Sequence, residues 1–309
     1  MRARDQDKKL MFSRRDFIAL SSLSFLPTLS NASILNESML KRVIPSSGEE
    51  LPVIGLGTSR VFDIERSKNE LNVREKILDI FYENGGRLID TSPMYGMSEE
   101  IIGITAKKYI EKNRFFLATK VWTEGRENGM RQIEESFQKM RADKISLIQV
   151  HNLLDWKTQI KTLRSLKDEG RINYIGITHY KSNAFDEMIK IMKAEKVDFA
   201  QFNYSMGERE AEQKILPFCK DNGIATLINR PFMRGGLFRK AQEKKLPSWV
   251  SDYDIDSWGQ FFLKYIISHD AVTNIIPATS KPKNMLDNAK AGMGRMLDKK
   301  AKKRMLEVF

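Results

Sequence analysis

The chain has 309 residues, 41% of them hydrophobic, and a formal net charge of +12 at pH 7. It is long enough for a large core in one or two domains, and its apolar content excludes disorder as the default. A single cysteine, Cys219, excludes an internal disulfide, and three histidines far apart in sequence (His151, His179 and His269) exclude a Cys/His metal site.

The first stretch reads as an address. Residues 1–12 are polar and basic, Ser13-Arg14-Arg15-Asp16-Phe17-Ile18 follows, and a mildly apolar run extends to Leu29. Ser30-Asn31-Ala32 then offers the small residues of a cleavage site, which completes the three-part layout of a secretory signal. The apolar run is 12 residues long, too short for a bilayer span, which needs about 20; no stable membrane insertion is expected. The arginine pair before Phe17 resembles a twin-arginine (Tat) signal. The expected domains are therefore a signal peptide at residues 1–32 and one mature domain at 33–309. The Tat export machinery would be a partner and the periplasm the destination, for a protein folded before export. A cytosolic protein with a dispensable tail is the alternative.

The mature chain alternates short apolar runs with amphipathic stretches. Residues 41–50 read as a hairpin with a Ser-Ser-Gly turn, serving as a plug. A strand is expected at 53–58 and a helix at 73–84, with Ile77, Ile80 and Phe81 on one face and Gly85-Gly86 as its stop. Residues 88–90 form the next strand, and a helix starts near Ser98-Glu99-Glu100, whose serine suits a cap and whose acids suit the helix dipole. Strand 115–121 and a helix through 132–140 come next, then strand 145–151, apolar enough to be buried on both faces. Helix 157–169, strand 174–178, helix 185–194, strand 199–203 and helix 213–221 continue the alternation. After strand 225–229 a long loop runs to about 256; helix 257–268, strand 273–277, helix 283–291 and a terminal helix at 298–309 complete the chain. Long loops after strands 145–151 and 225–229 would set specificity. Residues 281–309 hold nine Lys/Arg against three Asp/Glu, but no aromatics interleave them as a single-strand binder requires, so a solvated helix face is expected and no nucleic-acid partner.

Eight strand–helix pairs with short connections predict an α/β fold, a (β/α)₈ TIM barrel. A doubly wound sheet is the competitor, but Gly55-Leu56-Gly57 lacks the third glycine of a dinucleotide fingerprint and does not lead straight into a helix. In such a barrel the site is built at the C-terminal ends of the strands. Asp90, Tyr95, Lys120 and His151 all fall there, on or just after three successive strands. A phenol titrates near pH 10, and an adjacent ammonium stabilises the phenolate. Lys120 can supply that charge, Asp90 can hold Lys120, and His151 can orient a carbonyl. The set suits a general acid that protonates an oxygen while a carbonyl is reduced, with the hydride supplied by a cofactor.

Six motifs carry a family resemblance: Asp90-Thr91-Ser92-Pro93-Met94-Tyr95-Gly96-Met97-Ser98-Glu99, Ala118-Thr119-Lys120-Val121-Trp122, Gln149-Val150-His151-Asn152, Gly176-Ile177-Thr178-His179-Tyr180, Gln201-Phe202-Asn203-Tyr204 and Ile276-Pro277-Ala278-Thr279. In this order the sequence resembles the aldo/keto reductase family over nearly all of residues 41–295. The resemblance implies NAD(P)H-dependent reduction of an aldehyde or ketone. It implies a catalytic tetrad of Tyr95, Asp90, Lys120 and His151, with Tyr95 the proton donor, and substrate contacts from Trp122 and His151. It places Thr178, His179, Gln201, Arg230, Thr279, Asp287 and Asn288 at the cofactor. Thr178-His179 stands where relatives have Ser-Asn, and Asn229 where many have a stacking tyrosine. Ala278 and Asn284 stand where NADPH-preferring relatives carry a lysine and an arginine, with Lys281 and Lys283 nearby as substitutes. NADP is the expected cofactor and NAD the alternative. A monomer acting on a small-molecule carbonyl substrate is expected; the rival is a non-catalytic or redox-sensing NAD(P)-binding barrel that acts through a protein partner.

Overall fold

A computed structural model describes residues 38–309, so the predicted signal at 1–32 lies outside the described residues. The hairpin is formed by β1 (Lys41–Val43) and β2 (Glu50–Pro52), paired antiparallel. The parallel strands follow: β3 (Leu56–Gly57), β4 (Leu88–Asp90), β5 (Phe116–Val121), β6 (Ile145–His151), β7 (Ile172–Thr178), β8 (Phe199–Asn203), β9 (Ala225–Asn229) and β10 (Asn274–Ile275). Each pairs with the next in chain order to make a sheet of eight. Bridges from Ile54 to Ile275 and from Gly57 to Ala278 join its last strand to its first, and the sheet closes as the expected (β/α)₈ barrel. A side chain at Gly57 would prevent this closure, since a Cβ there would lie 2.7 Å from the Ile276 carbonyl oxygen.

Helices pack around the outside: α1 (Lys68–Glu83), α2 (Ser98–Thr105), α3 (Lys107–Ile110), α4 (Arg126–Met140), α5 (Trp156–Asp168), α6 (Phe185–Ala194), α7 (Ile215–Asp221), α8 (Gly236–Ala241), α9 (Trp258–Ile267), α10 (Pro282–Lys290) and α11 (Lys299–Glu307). The first helix begins at Lys68 rather than 73 because Ser67 caps it, accepting from the Glu70 N–H. Ser98 does not cap α2 as expected. It lies inside the helix, buried, and its hydroxyl donates to the Thr58 carbonyl. Glu99 and Glu100 do lie in the first turn, where they suit the helix dipole, but Glu99 is buried and accepts from Thr119 Oγ1 at 2.6 Å. The expected long loop after β6 is absent, as only residues 152–155 separate that strand from α5. The segment after β9 is long, but it contains α8 and a 3₁₀ turn at Ser248–Tyr253.

Two apolar layers follow from strand alternation, because successive side chains point to opposite faces. Outward residues such as Ile89, Leu117, Ile148, Ile177 and Phe202 pack against the helices. Inward residues Leu88, Phe116, Leu147, Tyr174, Phe199 and Leu227 fill the lower barrel, where Ile44 and Leu51 at the hairpin seal it. The hairpin is thus a plug, as its sequence suggests. Further along the same inward rows the residues become polar: Asp90, Lys120, Gln149, His151, Thr178, Gln201, Asn203 and Asn229. The barrel has an oily floor and a polar mouth at the C-terminal ends of its strands.

Candidate active site

The polar mouth opens into a cleft of about 800 Å³ lined by residues that include Asp90, Tyr95, His151, Thr178 and Gln201. Strand register places its floor. Asp90 is level with Ala118, two residues before Lys120, and Lys120 is level with Gln149, two residues before His151. The ascending steps carry the side chains around the rim in order. Lys120 is fully buried and donates to Asp90 Oδ2 at 2.7 Å and to the Thr91 carbonyl at 2.6 Å. Its ammonium lies 5.1 Å from the centre of the Tyr95 ring. The Tyr95 and His151 rings meet edge to face at 5.9 Å. All four residues expected to act together do converge.

Burial and charge compete at Tyr95. Desolvation raises its hydroxyl above the ordinary tyrosine value, and Lys120 lowers it again without reversing the balance. The phenol therefore holds its proton at neutral pH, and the ammonium acts by stabilising the phenolate once that proton has left. Burial acts against the Lys120 charge as well, but Asp90 and Tyr95 outweigh it, and the ammonium is held above its ordinary value. His151 goes the other way: burial, with Lys120 nearby, lowers the imidazole to about 3, so it is neutral across the physiological range.

Asp90 is itself held. Its Oδ1 accepts from Gln201 Nε2 at 2.8 Å and from Gln149 Nε2 at 3.1 Å. The Gln201 amide oxygen in turn accepts from Thr178 Oγ1 at 3.1 Å. Five side chains from five adjacent strands thus form one buried network. Gly176 makes room for it, as a Cβ at that position would lie 2.9 Å from Gln149 Cγ. Gln149 belongs to one of the six motifs, but its hold on Asp90 is not written there; it stands two residues before His151 and so shares its inward face.

The remaining expected residues are distributed. Trp122 is 41% exposed with its ring 6.4 Å from that of His151, but it is not among the residues that line the cleft. Arg230 lines the cleft with its guanidinium 4.1 Å above the Tyr180 ring, and the other stacking partner of Tyr180 is His179, at 5.3 Å and 5°. His179, Thr279, Asp287 and Asn288 do not line this cleft. Thr279 accepts from the Lys281 N–H just before α10. Asp287 ties α10 to α9, accepting from Ser257 Oγ at 2.7 Å and Gln260 Nε2 at 2.8 Å; Asn288 is buried beside it. Met94, Asn152 and Tyr180, which stand within the motifs but have no role assigned from sequence, also line the cleft; Arg60, Arg234 and Phe238 carry no motif signal, and Met94 and Phe238 are each 41% exposed. Asn152 Oδ1 and Asn229 Oδ1 are buried there without a hydrogen-bond partner. Among the described residues no group of three or more His, Cys, Asp or Glu could hold a metal ion, and no helix is long and apolar enough to cross a membrane.

Comparison with known proteins places this arrangement. The family model described as the aldo/keto reductase family matches residues 53–308. The chain is 29% identical over 216 residues to the aldo-keto reductase YhdN of Bacillus subtilis, a match spanning 65% of this chain and 64% of that protein. It is 26% identical to the glyoxal reductase of Bacillus subtilis, over 79% of this chain and 84% of that protein. An aldo-keto reductase from Klebsiella pneumoniae, solved in complex with NADPH, shares the fold at a TM-score of 0.73 and 20% identity, covering 88% of this chain and 96% of that one.

Proposed function

The chain belongs to the aldo/keto reductase family, and from that premise we propose that it reduces an aldehyde or ketone to the alcohol with NADPH, using Tyr95 as the acid. The observation that carries this reading is the buried Asp90–Lys120 pair set beneath a protonated Tyr95 and a neutral His151. Bound in the cleft, the dinucleotide supplies the hydride. The protein's own groups do the rest. Tyr95 and His151 donate to the carbonyl oxygen and polarise it; the Tyr95 proton passes to that oxygen as negative charge develops on it. Lys120 stabilises the phenolate left behind, Asp90 keeps Lys120 in place, and Tyr95 regains its proton from solvent.

The donor set fits a dinucleotide. The unpartnered oxygens of Asn152 and Asn229 suit the N–H groups of a carboxamide, and Arg60, Arg230 and Arg234 in the same cleft suit phosphate oxygens. Thr178, His179 and Gln201 would serve the nicotinamide end, with Lys281, Lys283, Thr279, Asp287 and Asn288 toward the adenosine end. Met94 and Phe238 line the cleft with exposed apolar surface and Trp122 lies beside His151, which suits a carbonyl compound carrying an apolar body. The cationic lining favours the dinucleotide with the extra phosphate. Fluorescence titration of the purified chain is expected to give a lower Kd for NADPH than for NADH; equal or tighter binding of NADH would reverse the assignment.

We also propose that residues 1–32 direct the protein through the Tat machinery to the periplasm, where residues 33–309 act as a monomer. The support is the Ser13-Arg14-Arg15-Asp16-Phe17 pattern ahead of a weak apolar run. Replacing Arg14 and Arg15 by lysine is expected to retain the protein in the cytoplasm, read by fractionation; unchanged localisation would remove the Tat assignment.

A further inference from the structure

The loop after β4 carries more than the acid. Ser92, two residues beyond Asp90, is fully buried, and its oxygen lies 3.1 Å from His151 Nδ1. The same oxygen accepts the Met94 N–H at 3.3 Å, while the Ser92 carbonyl accepts the Tyr95 N–H at 3.0 Å and so fixes the turn that presents the acid. A serine hydroxyl has one hydrogen to give and two lone pairs to receive. Among the described residues, the acceptor in reach of that hydrogen is His151 Nδ1. Were Nδ1 itself the N–H, the Ser92 oxygen would receive it and the Met94 N–H on its two lone pairs, and the buried hydroxyl hydrogen would be left without a partner, an expensive arrangement in an interior site. With the hydroxyl donating, both the Ser92 hydrogen and His151 Nδ1 have a partner.

We propose that Ser92 is a positioning residue that sets the tautomer of His151: its hydroxyl donates to Nδ1, so the ring proton resides on Nε2, at the opposite edge of the imidazole. A carbonyl oxygen carries lone pairs and no proton, so only an Nε2 that bears hydrogen can bond to it. The neutral ring then acts as a donor beside Tyr95 without competing for the Tyr95 proton. One turn of chain therefore supplies three functions: Asp90 holds the ammonium, Ser92 aligns the imidazole and Tyr95 delivers the proton. The catalytic part of this proposal rests on the reductase reading; the tautomer does not.

The test is long-range ¹H–¹⁵N correlation on the full chain labelled with ¹⁵N-histidine and free of ligand, with the His151 signals identified by their loss in His151→Gln. The wild type is expected to show His151 neutral with the proton on Nε2. Ser92→Ala is expected to shift the ring to a tautomer mixture and to lower kcat for carbonyl reduction about tenfold, with dinucleotide affinity unchanged. A wild-type ring protonated on Nδ1 would overturn the proposal, and so would an alanine variant that keeps either the wild-type tautomer or the wild-type kcat. Because the spectrum needs no substrate, failure of the tautomer assignment is distinguishable from failure of the reductase reading.

Discussion

Tyr95→Phe is expected to lower carbonyl reduction by about 10²–10⁴-fold, the range of a well-placed general acid, while the Kd for NADPH stays within about twofold. The substitution removes one hydroxyl and keeps the ring, so the edge-to-face contact with His151 remains and the loss falls on the chemical step. The pH profile follows from the same environment. Burial raises the Tyr95 hydroxyl above its ordinary value of 10.0, and burial lowers the His151 imidazole to about 3. Neither group changes protonation between those limits. The chemical step should therefore be flat across the neutral range and decline only at alkaline pH, as the acid loses its proton before reaction. A single-turnover pH series on the wild type checks this. A limb near pH 6.5 would mean that His151 titrates as an ordinary imidazole and that its environment is wetter than the structure indicates.

Lys120→Met is expected to damage both stability and rate. It leaves the Asp90 carboxylate buried without its ammonium, with only the Gln149 and Gln201 amides to hold it. Breaking one member of a buried pair costs about 3–5 kcal/mol, enough to lower the denaturation midpoint visibly. The phenolate also loses its stabilising charge, and the rate should fall by about 10²-fold or more. The double variant Asp90→Leu/Lys120→Met separates the two effects, because replacing a buried pair by apolar groups of similar size is often neutral or stabilising. The expected result is a denaturation midpoint recovered toward wild type with activity still absent. Recovery of activity in the double variant would show that the pair serves structure alone.

Much of the fold was legible in the sequence because a closed parallel barrel repeats one simple pattern. Strands β4, β6, β8 and β9 fall where the apolar runs place them, since strands buried on both faces leave continuous hydrophobic runs bounded by polar turns. Helix starts were read less well. The cap of α1 is Ser67, in a polar stretch with no apolar periodicity, and α4 begins after Gly125 with no side-chain cap. Helix α8 gives no periodic signal in the sequence, because it has only six residues and begins on the second glycine of the pair Gly235-Gly236.

The tetrad was readable because each member stands at a strand end in a recognisable motif. The parts that tune it were not. Gln149 looks like one polar residue in an apolar strand, and its contact with Asp90 joins positions 59 apart in sequence. Ser92 looks like an ordinary turn residue until the closed barrel brings His151 beside it, also 59 positions away. Tyr180 and Arg230 form their cation–π pair between loops after β7 and β9, contact that no local pattern encodes. Local chemistry is written locally, whereas its second layer of support exists only once the sheet closes.

The most direct test of the reductase assignment is transfer of label. The purified full chain is incubated with NADPH carrying deuterium at nicotinamide C4 and with methylglyoxal or an aromatic aldehyde, and the product alcohol is examined by mass spectrometry and NMR. The expected result is one alcohol formed per NADPH oxidised, with the label on the carbinol carbon of wild-type product and no such product from Tyr95→Phe on the same timescale. Tight binding of NADPH with no oxidation by any carbonyl compound tried would contradict the account and favour a barrel that binds the dinucleotide without turning it over.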